Sequence, residues 1–112
     1  MDSILISIKK LLGIEEDYTH FDIDLIMHIN SAFMVLNQLG VGPTEGFSIS
    51  DETATWSDFI SEDNKNFEGV KTYVQQKVKL VFDPPLSSAV IDSMKETIKE
   101  FEWRLNVAAE IK

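Results

Sequence analysis

The side chains best suited to chemistry in this chain are two histidines and a few clustered carboxylates. His20 and His28 are eight residues apart, too far for two ligands on one helical turn, and neither belongs to an HExxH motif. Asp51, Glu52 and Asp58 are close in sequence, but they lack the DxDxDG order of a calcium loop. A divalent-metal site shared by these three acids is the main basis for a metal-dependent enzyme. The two histidines are better explained by structural or surface roles.

Nucleophile and phosphate-binding motifs are also missing from the sequence. No serine lies in a GxSxG motif, and there is no GxGxxG and no GxxxxGKS or GxxxxGKT loop. The chain has no cysteine, so it has no thiolate nucleophile, disulfide or cysteine-ligated zinc. Carboxylates in an exposed acidic segment have no reason for a raised pKa. The sequence therefore predicts a protein that is not an enzyme and binds no cofactor.

Charge is distributed unevenly along the 112 residues, whose net charge is −9. Residues 15–68 contain twelve acids and one base, Lys65, whereas residues 69–112 contain six acids and seven bases. Phosphate binding depends on Lys and Arg. A surface with this net negative charge is therefore, as a whole, unsuited to binding nucleic acid. Lys71, Lys77 and Lys79 form a local basic group in the predicted helix of residues 67–82, and we expect them to pair with acids of the same or a neighbouring subunit.

The sequence also bears on membrane association. No apolar run reaches the roughly 18 residues that span a bilayer. In the opening segment MDSILISIKKLLG the lysines follow the apolar residues, whereas a secretory signal places its positive charge first. We therefore expect no membrane segment, no signal peptide and a cytoplasmic place of synthesis.

Hydrophobic periodicity predicts the elements that would position these side chains. Helical spacing covers residues 3–12, about 22–39, 67–82, and a longest helix that begins at Ser87 or Ser88, with a short helical turn at 56–60. Gly13 and Gly40 are placed to end the first two helices. Between residues 41 and 55 the pattern breaks, and FSIS alternates as in a small strand or hairpin arm.

These elements predict a mainly α fold. We expect a small four-helix bundle with a short irregular or β-hairpin insertion between helices 2 and 3, in a single domain of residues 1–112. Trp56 and Tyr73 are assigned to the core. The inward faces of the helices are expected to include Ile4, Leu5, Ile8, Leu11, Leu12, Ile26, Ile29, Phe33, Leu36, Leu39, Phe67, Val70, Val74, Val78, Val81, Ile91, Met94, Ile98, Phe101, Leu105 and Ala108.

Two features of the C-terminal half are candidates for a protein interface. Pro84 fixes its own φ, and Pro85 holds Pro84 in extended geometry, so the link before the longest helix is stiff; simple helix termination is the alternative reading. Trp103 lies roughly 160–200° from the inward seam of that helix, where an indole is either covered by another element or anchors an interface. The predicted interface residues are Pro84, Pro85, Phe101, Trp103, Arg104 and Leu105.

Four segments carry a resemblance to a known family. They are KKLLGIEED, EGFSISDETATWSDFI, VKTYVQQKVKLVFDPP and EFEWRLNVAAE, in this order along nearly the whole chain, and the part from VKTYV to KVKLVFDPP is the most specific. Together they resemble the small head–tail connector, or adaptor, proteins of tailed bacteriophages and prophages.

The resemblance implies a structural protein of the virion, made in the host cytoplasm. Such proteins are small helical bundles that form a ring below the portal, continue its DNA channel and dock the next head-completion (stopper) or tail protein. Since the portal is dodecameric, the implied ring is dodecameric too. DNA would pass without tight binding, and no catalytic residue or membrane contact is implied.

A different class of function also fits the residues. A monomeric or dimeric helical protein-binding module of phage origin, such as a host-directed regulator or a chaperone for another phage protein, would have the same composition and helices. Ring formation with the portal distinguishes the connector from this module, and elemental analysis for bound metal tests the metal-dependent enzyme.

Overall fold

Helices account for all the regular secondary structure in the computed structural model, which describes residues 3–110. They are α1 (Ile4–Leu11), α2 (Asp22–Gln38), α3 (Trp56–Phe59), α4 (Phe67–Phe82) and α5 (Ser88–Glu110). Within the described residues, the β-type pairing is limited to an isolated antiparallel bridge between Ser3 and Thr55. The mainly α prediction is confirmed, and α3 is the predicted short helical turn.

Local sequence signals set the ends of the first two helices. Gly13 and Gly40 follow α1 and α2 with φ of 75° and 87°, a region that favours glycine. At α2 the N–H of Val41 donates to Leu36 O at 2.9 Å and that of Gly40 to Asn37 O at 3.0 Å, which is the Schellman arrangement. The predicted stop signals at both glycines are confirmed.

The starts of α1 and α3 are capped by short polar side chains. Ser3 Oγ accepts a hydrogen bond from the N–H of Ile6 at 3.2 Å at the start of α1. At α3 the Asp58 carboxylate accepts from the N–H of Thr55 at 2.9 Å, the reciprocal bond expected of a capping box. These bonds satisfy backbone donors that have no partner inside the helix.

The core forms where four helices meet. α4 packs against α2, α5 and α1, and α1 also packs against α2. Trp56 and Tyr73 are buried, as predicted, and the Trp56 indole N–H donates to Ser7 Oγ at 3.0 Å. The buried apolar side chains are Ile4, Leu5, Ile8, Leu25, Ile29, Ala32, Phe33, Leu36, Val41, Ile49, Trp56, Phe59, Val70, Tyr73, Val74, Val78, Ile98 and Leu105.

The predicted β-hairpin insertion is wrong. The segment between α2 and α3 has no strand; instead Asn30 of α2 holds it through both polar atoms of its carboxamide. Asn30 Oδ1 accepts from the N–H of Ile49 at 2.7 Å, and Nδ2 donates to Ile49 O at 3.0 Å. Phe47 stacks edge-on against Phe33 at 4.9 Å. The alternation of FSIS therefore reflects burial against helices, and a side chain replaces the partner strand.

Two residues assigned to inward faces are exposed. Val81 in the last turn of α4 is 60% exposed, because its neighbour Phe82 takes the inward position and packs edge-on against Phe21 at 5.2 Å. Leu11 is also exposed, since α1 ends there and the half-buried Leu12 turns towards the core instead. In both cases the helix end shifts the inward position by one residue.

Candidate protein-interaction site

The residues considered for chemistry have structural surroundings. His20 is exposed and stacks edge-on against Phe21 at 4.8 Å. Asp51 accepts hydrogen bonds from the hydroxyl and the backbone N–H of Thr53, which lower the pKa of its carboxyl. Asp58 caps α3. Within residues 3–110, no group of three or more His, Cys, Asp or Glu residues is arranged to hold a metal ion.

The two prolines form the corner between α4 and α5. α4 ends at Asp83, whose N–H donates to Lys79 O at 2.9 Å and whose backbone (φ −142°, ψ 67°) has left the helical region, as expected before a proline. Pro84 is exposed and Pro85 is half-buried. On the far side Ser87 Oγ accepts from the N–H of Val90 at 3.4 Å, so Ser87 caps α5. Hydrogen bonds thus fix both the end of α4 and the start of α5.

Apolar side chains surround this corner at the surface. Leu86 is fully exposed, Val81 is 60% exposed and Val90 is exposed as well. No residue of α5 before Ile98 is buried, so the first part of α5 stands away from the core. The sequence pattern predicted an interface role for the prolines but not for these three apolar residues. Their signal was present, since Val81 and Leu86 flank the prolines in sequence.

The outer face of α5 carries the second candidate region. Trp103 is 66% exposed, so the described chain leaves most of this residue open to solvent. Arg104 is exposed and donates to Glu100 Oε1 from Nε at 3.2 Å and from a terminal nitrogen at 2.9 Å. Leu105, by contrast, is buried, and Phe101 is half-buried beside Gly69 of α4.

The six predicted interface residues therefore do not form one patch. Pro84 and Pro85 lie at the start of α5, whereas Trp103 and Arg104 lie some fifteen residues further on, roughly 22 Å along the helix axis at 1.5 Å per residue. Phe101 and Leu105 face α4 and the core. The interface role of the six residues stays a prediction, and the two solvent-facing regions are separate.

A hydrogen bond and an ion pair to Glu102 attach α5 to α4. The buried Tyr73 donates its hydroxyl hydrogen to Glu102 Oε2 at 2.7 Å, and Lys77 Nζ lies 3.7 Å from the same oxygen. Burial, and then the neighbouring Glu102, raise the pKa of the Tyr73 hydroxyl. Lys79 pairs with Asp83 at 3.5 Å, so pairing within the subunit is confirmed for Lys77 and Lys79. The contacts of Tyr73 and Lys77 with Glu102 hold the outer face of α5 in a fixed orientation.

Comparison with known families decides the broad identity of this helical chain. A family model described as phage connector protein matches residues 4–112. The chain belongs to the phage connector family. No curated protein sequence and no solved structure matches it.

Membership gives the two exposed regions a context. A phage connector is a structural component of the phage particle that interacts with other head or tail proteins. Connectors are generally not enzymes. Among the described residues, no helix combines the length and the apolar character needed to cross a bilayer.

Proposed function

We propose that this connector forms a ring between the portal and the tail or the next head-completion (stopper) protein, and that the ring continues the DNA channel. On a dodecameric portal the ring is itself dodecameric. The observation that carries the proposal is the family match, which extends over residues 4–112 rather than over one motif.

Two exposed regions support a protein with more than one neighbour. The corner region exposes Val81, Leu86 and Val90, and the outer face of α5 exposes Trp103. A ring subunit between two other proteins contacts adjacent subunits and a partner on each side, so it needs several distinct surfaces. Exposed aromatic and aliphatic side chains are the residues that interface cores bury.

The corner supports the ring in a second way. In a heterologous ring every subunit repeats the same contact, and the ring closes only if the rotation per subunit is right. Pro84 and Pro85 restrict the link between α4 and α5, while the bond from Tyr73 to Glu102 holds the two helices further along. The angle at which α5 leaves the core is thus restrained at two points.

The charge distribution supports a channel that DNA passes through without tight binding. Residues 15–68 hold twelve acids and one base, and Lys77 and Lys79 are already paired within the subunit. Lys71 Nζ lies 5.4 Å from the centroid of the Phe67 ring. A lumen with few free cations releases few counter-ions from DNA and therefore retains it weakly.

Native mass spectrometry of the protein mixed with the portal of the same phage tests the proposal. We expect about twelve copies per portal dodecamer at saturation, and monomers or loose assemblies of the free protein at low concentration. Binding of a single copy per portal at saturating protein would refute the ring and favour a monomeric binding module.

A further inference from the structure

A small cleft beside Trp103 combines two cations with an indole. It has a volume of about 290 Å³, and none of the described residues that line it is acidic. Its walls, called the cationic cleft below, are formed by Lys65, Trp103, Arg104, Val107 and Ala108.

Both cations of the cleft have donors to spare. Lys65 is exposed and forms no ion pair with any side chain that the structure describes. Arg104 uses Nε and one terminal nitrogen on Glu100, which leaves part of its five-donor guanidinium unused. The exposed Trp103 ring supplies a flat apolar wall of the same cleft. An occupant should therefore be acidic and should carry an apolar or aromatic side chain.

One segment of this chain has that chemistry. Residues 15–24, called the acidic edge below, contain five carboxylates and no Lys or Arg. Only Asp22 is paired, with Lys9, among the described residues. The segment also exposes two large side chains, Tyr18 and Ile23, the latter at 82%. The acidic edge thus complements the cationic cleft in charge and in apolar character.

The two surfaces lie at opposite ends of α2. The acidic edge leads into the first turn of α2, which begins at Asp22. The cleft lies near its last turn, because Asn106 Nδ2 donates to Leu39 O at 3.3 Å and an adjoining depression is lined by Gly40, Lys65 and Ala108. Since α2 has 17 residues, about 25 Å separates its ends. A subunit therefore cannot fill its own cleft.

The geometry points to a head-to-tail contact in which the cationic cleft of one subunit receives the acidic edge of a second copy of this chain. Such a contact uses two different surfaces on every subunit, which makes it heterologous and suited to a ring. The inference rests on the ring proposed above and adds the residues that join adjacent subunits. Because the contact is between charges at an exposed cleft, it weakens as salt rises.

Charge reversal on each side of the contact tests this pairing. Lys65→Glu with Arg104→Glu, or Glu16→Lys with Asp17→Lys, should each weaken assembly about tenfold or more. The four substitutions combined should restore it, because the charges are then exchanged. Lys95→Glu with Lys99→Glu is the matched control: it changes the charge equally on exposed residues of α5 outside the cleft. Circular dichroism should show every variant folded.

Two readouts separate this inference from the ring itself. Copies per portal are counted by native mass spectrometry, and self-association without portal is followed by sedimentation velocity at high protein concentration. If the wild type forms the ring and the Lys65–Arg104 variant forms it equally well, the pairing is refuted and the ring stands. A variant that self-associates normally but no longer binds portal would assign the cleft to portal, which also refutes the pairing. Failure of the four-fold variant to recover would show that the acidic edge is not the occupant.

Discussion

The ammonium of Lys9 lies 2.9 Å from Oδ1 of Asp22, with the lysine side chain only 1% exposed. The same ammonium donates to the backbone oxygen of Glu16 at 2.9 Å. Asp22 Oδ1 accepts no directed hydrogen bond among the described residues, so the contact with Lys9 is an ion pair. It ties α1 to the loop that precedes α2 and to the first residue of α2.

Asp22→Asn should therefore lower the free energy of unfolding by about 2–3 kcal/mol, because the substitution leaves a buried ammonium without its counter-ion. Asp24→Asn is the control, because Asp24 lies two residues later in the same turn of α2, is exposed and forms no ion pair with a described residue. We expect this control to change the free energy of unfolding by less than about 0.5 kcal/mol. Urea unfolding at neutral pH measures both. Equal effects would show that the pair does not stabilise the fold.

Tyr73→Phe should cost about 1–2 kcal/mol at pH 8 through the lost hydrogen bond to Glu102. The folded state raises the pKa of Tyr73 above its ordinary value of 10.0, so the protonated hydroxyl stabilises the fold fully below pH 10. This stability is lost progressively as the pH rises above 10 towards the folded-state pKa. The difference in stability between wild type and Tyr73→Phe should thus shrink above pH 10.

Urea unfolding of both proteins between pH 8 and pH 11 checks this dependence on Tyr73. Tyr18→Phe serves as a control at pH 8, since Tyr18 is exposed and its change should stay below about 0.5 kcal/mol. A difference between wild type and Tyr73→Phe that is constant across the range would contradict the coupling.

Gly42→Ala should destabilise the protein by about 3 kcal/mol. Gly42 has a φ of 87°, and a Cβ there would lie 2.4 Å from Cε1 of the buried Phe59, so backbone strain and overpacking add. Gly46→Ala is the matched control: its φ of 94° gives similar backbone strain, but a Cβ there has no atom within 4 Å. We expect about 1 kcal/mol for Gly46→Ala, and thermal or urea unfolding that ranks the two equally would refute the steric argument.

Replacing both Pro84 and Pro85 by alanine should leave the subunit folded, because the prolines follow α4 rather than interrupt it. The freer link should reduce ring closure on portal more than it reduces thermal stability. Circular dichroism melts and electron micrographs of the assemblies measure the two effects. Normal rings from the double variant would mean that the prolines only terminate α4.

The isolated protein should show no measurable duplex DNA binding at about 0.15 M salt. The reason is the excess of carboxylates, since the net charge is −9 and residues 15–68 hold twelve acids and one base, while Lys77 and Lys79 are paired within the subunit. Fluorescence anisotropy with a labelled duplex is the measurement. Micromolar or tighter affinity would place a basic face, with Lys71–Lys79 as the first candidate, on the channel wall.

Sequence patterns predicted the helices well because their signals are local. The glycines after α1 and α2 and the proline pair after α4 each act within a few residues, and the structure places helix ends at all of them. The burial of Trp56 and Tyr73 was also predictable, because large aromatic side chains usually belong to the core.

Tertiary partnerships were not predictable in the same way. Asn30 meets Ile49 nineteen residues later, and the burial of Lys9 depends on a loop that folds back over it. Nothing near either residue in sequence signals the partner. The cleft beside Trp103 likewise requires Lys65, which lies 38 positions earlier in the chain. The exposed Trp103 was recognisable as a candidate anchor, but its basic neighbour was not.

The bonds between Asn30 and Ile49 have a practical consequence for labelling the particle. They hold the segment between α2 and α3 at Ile49. Thr44 and Glu45 precede Ile49 and are exposed, in a turn closed by the bond from the N–H of Gly46 to Pro43 O. Because the entropic cost of closing a loop grows slowly with its length, an epitope inserted between Thr44 and Glu45 would leave the hydrogen bonds between Asn30 and Ile49 in place. An antibody bound to such a tag would mark the protein in electron micrographs of the phage particle.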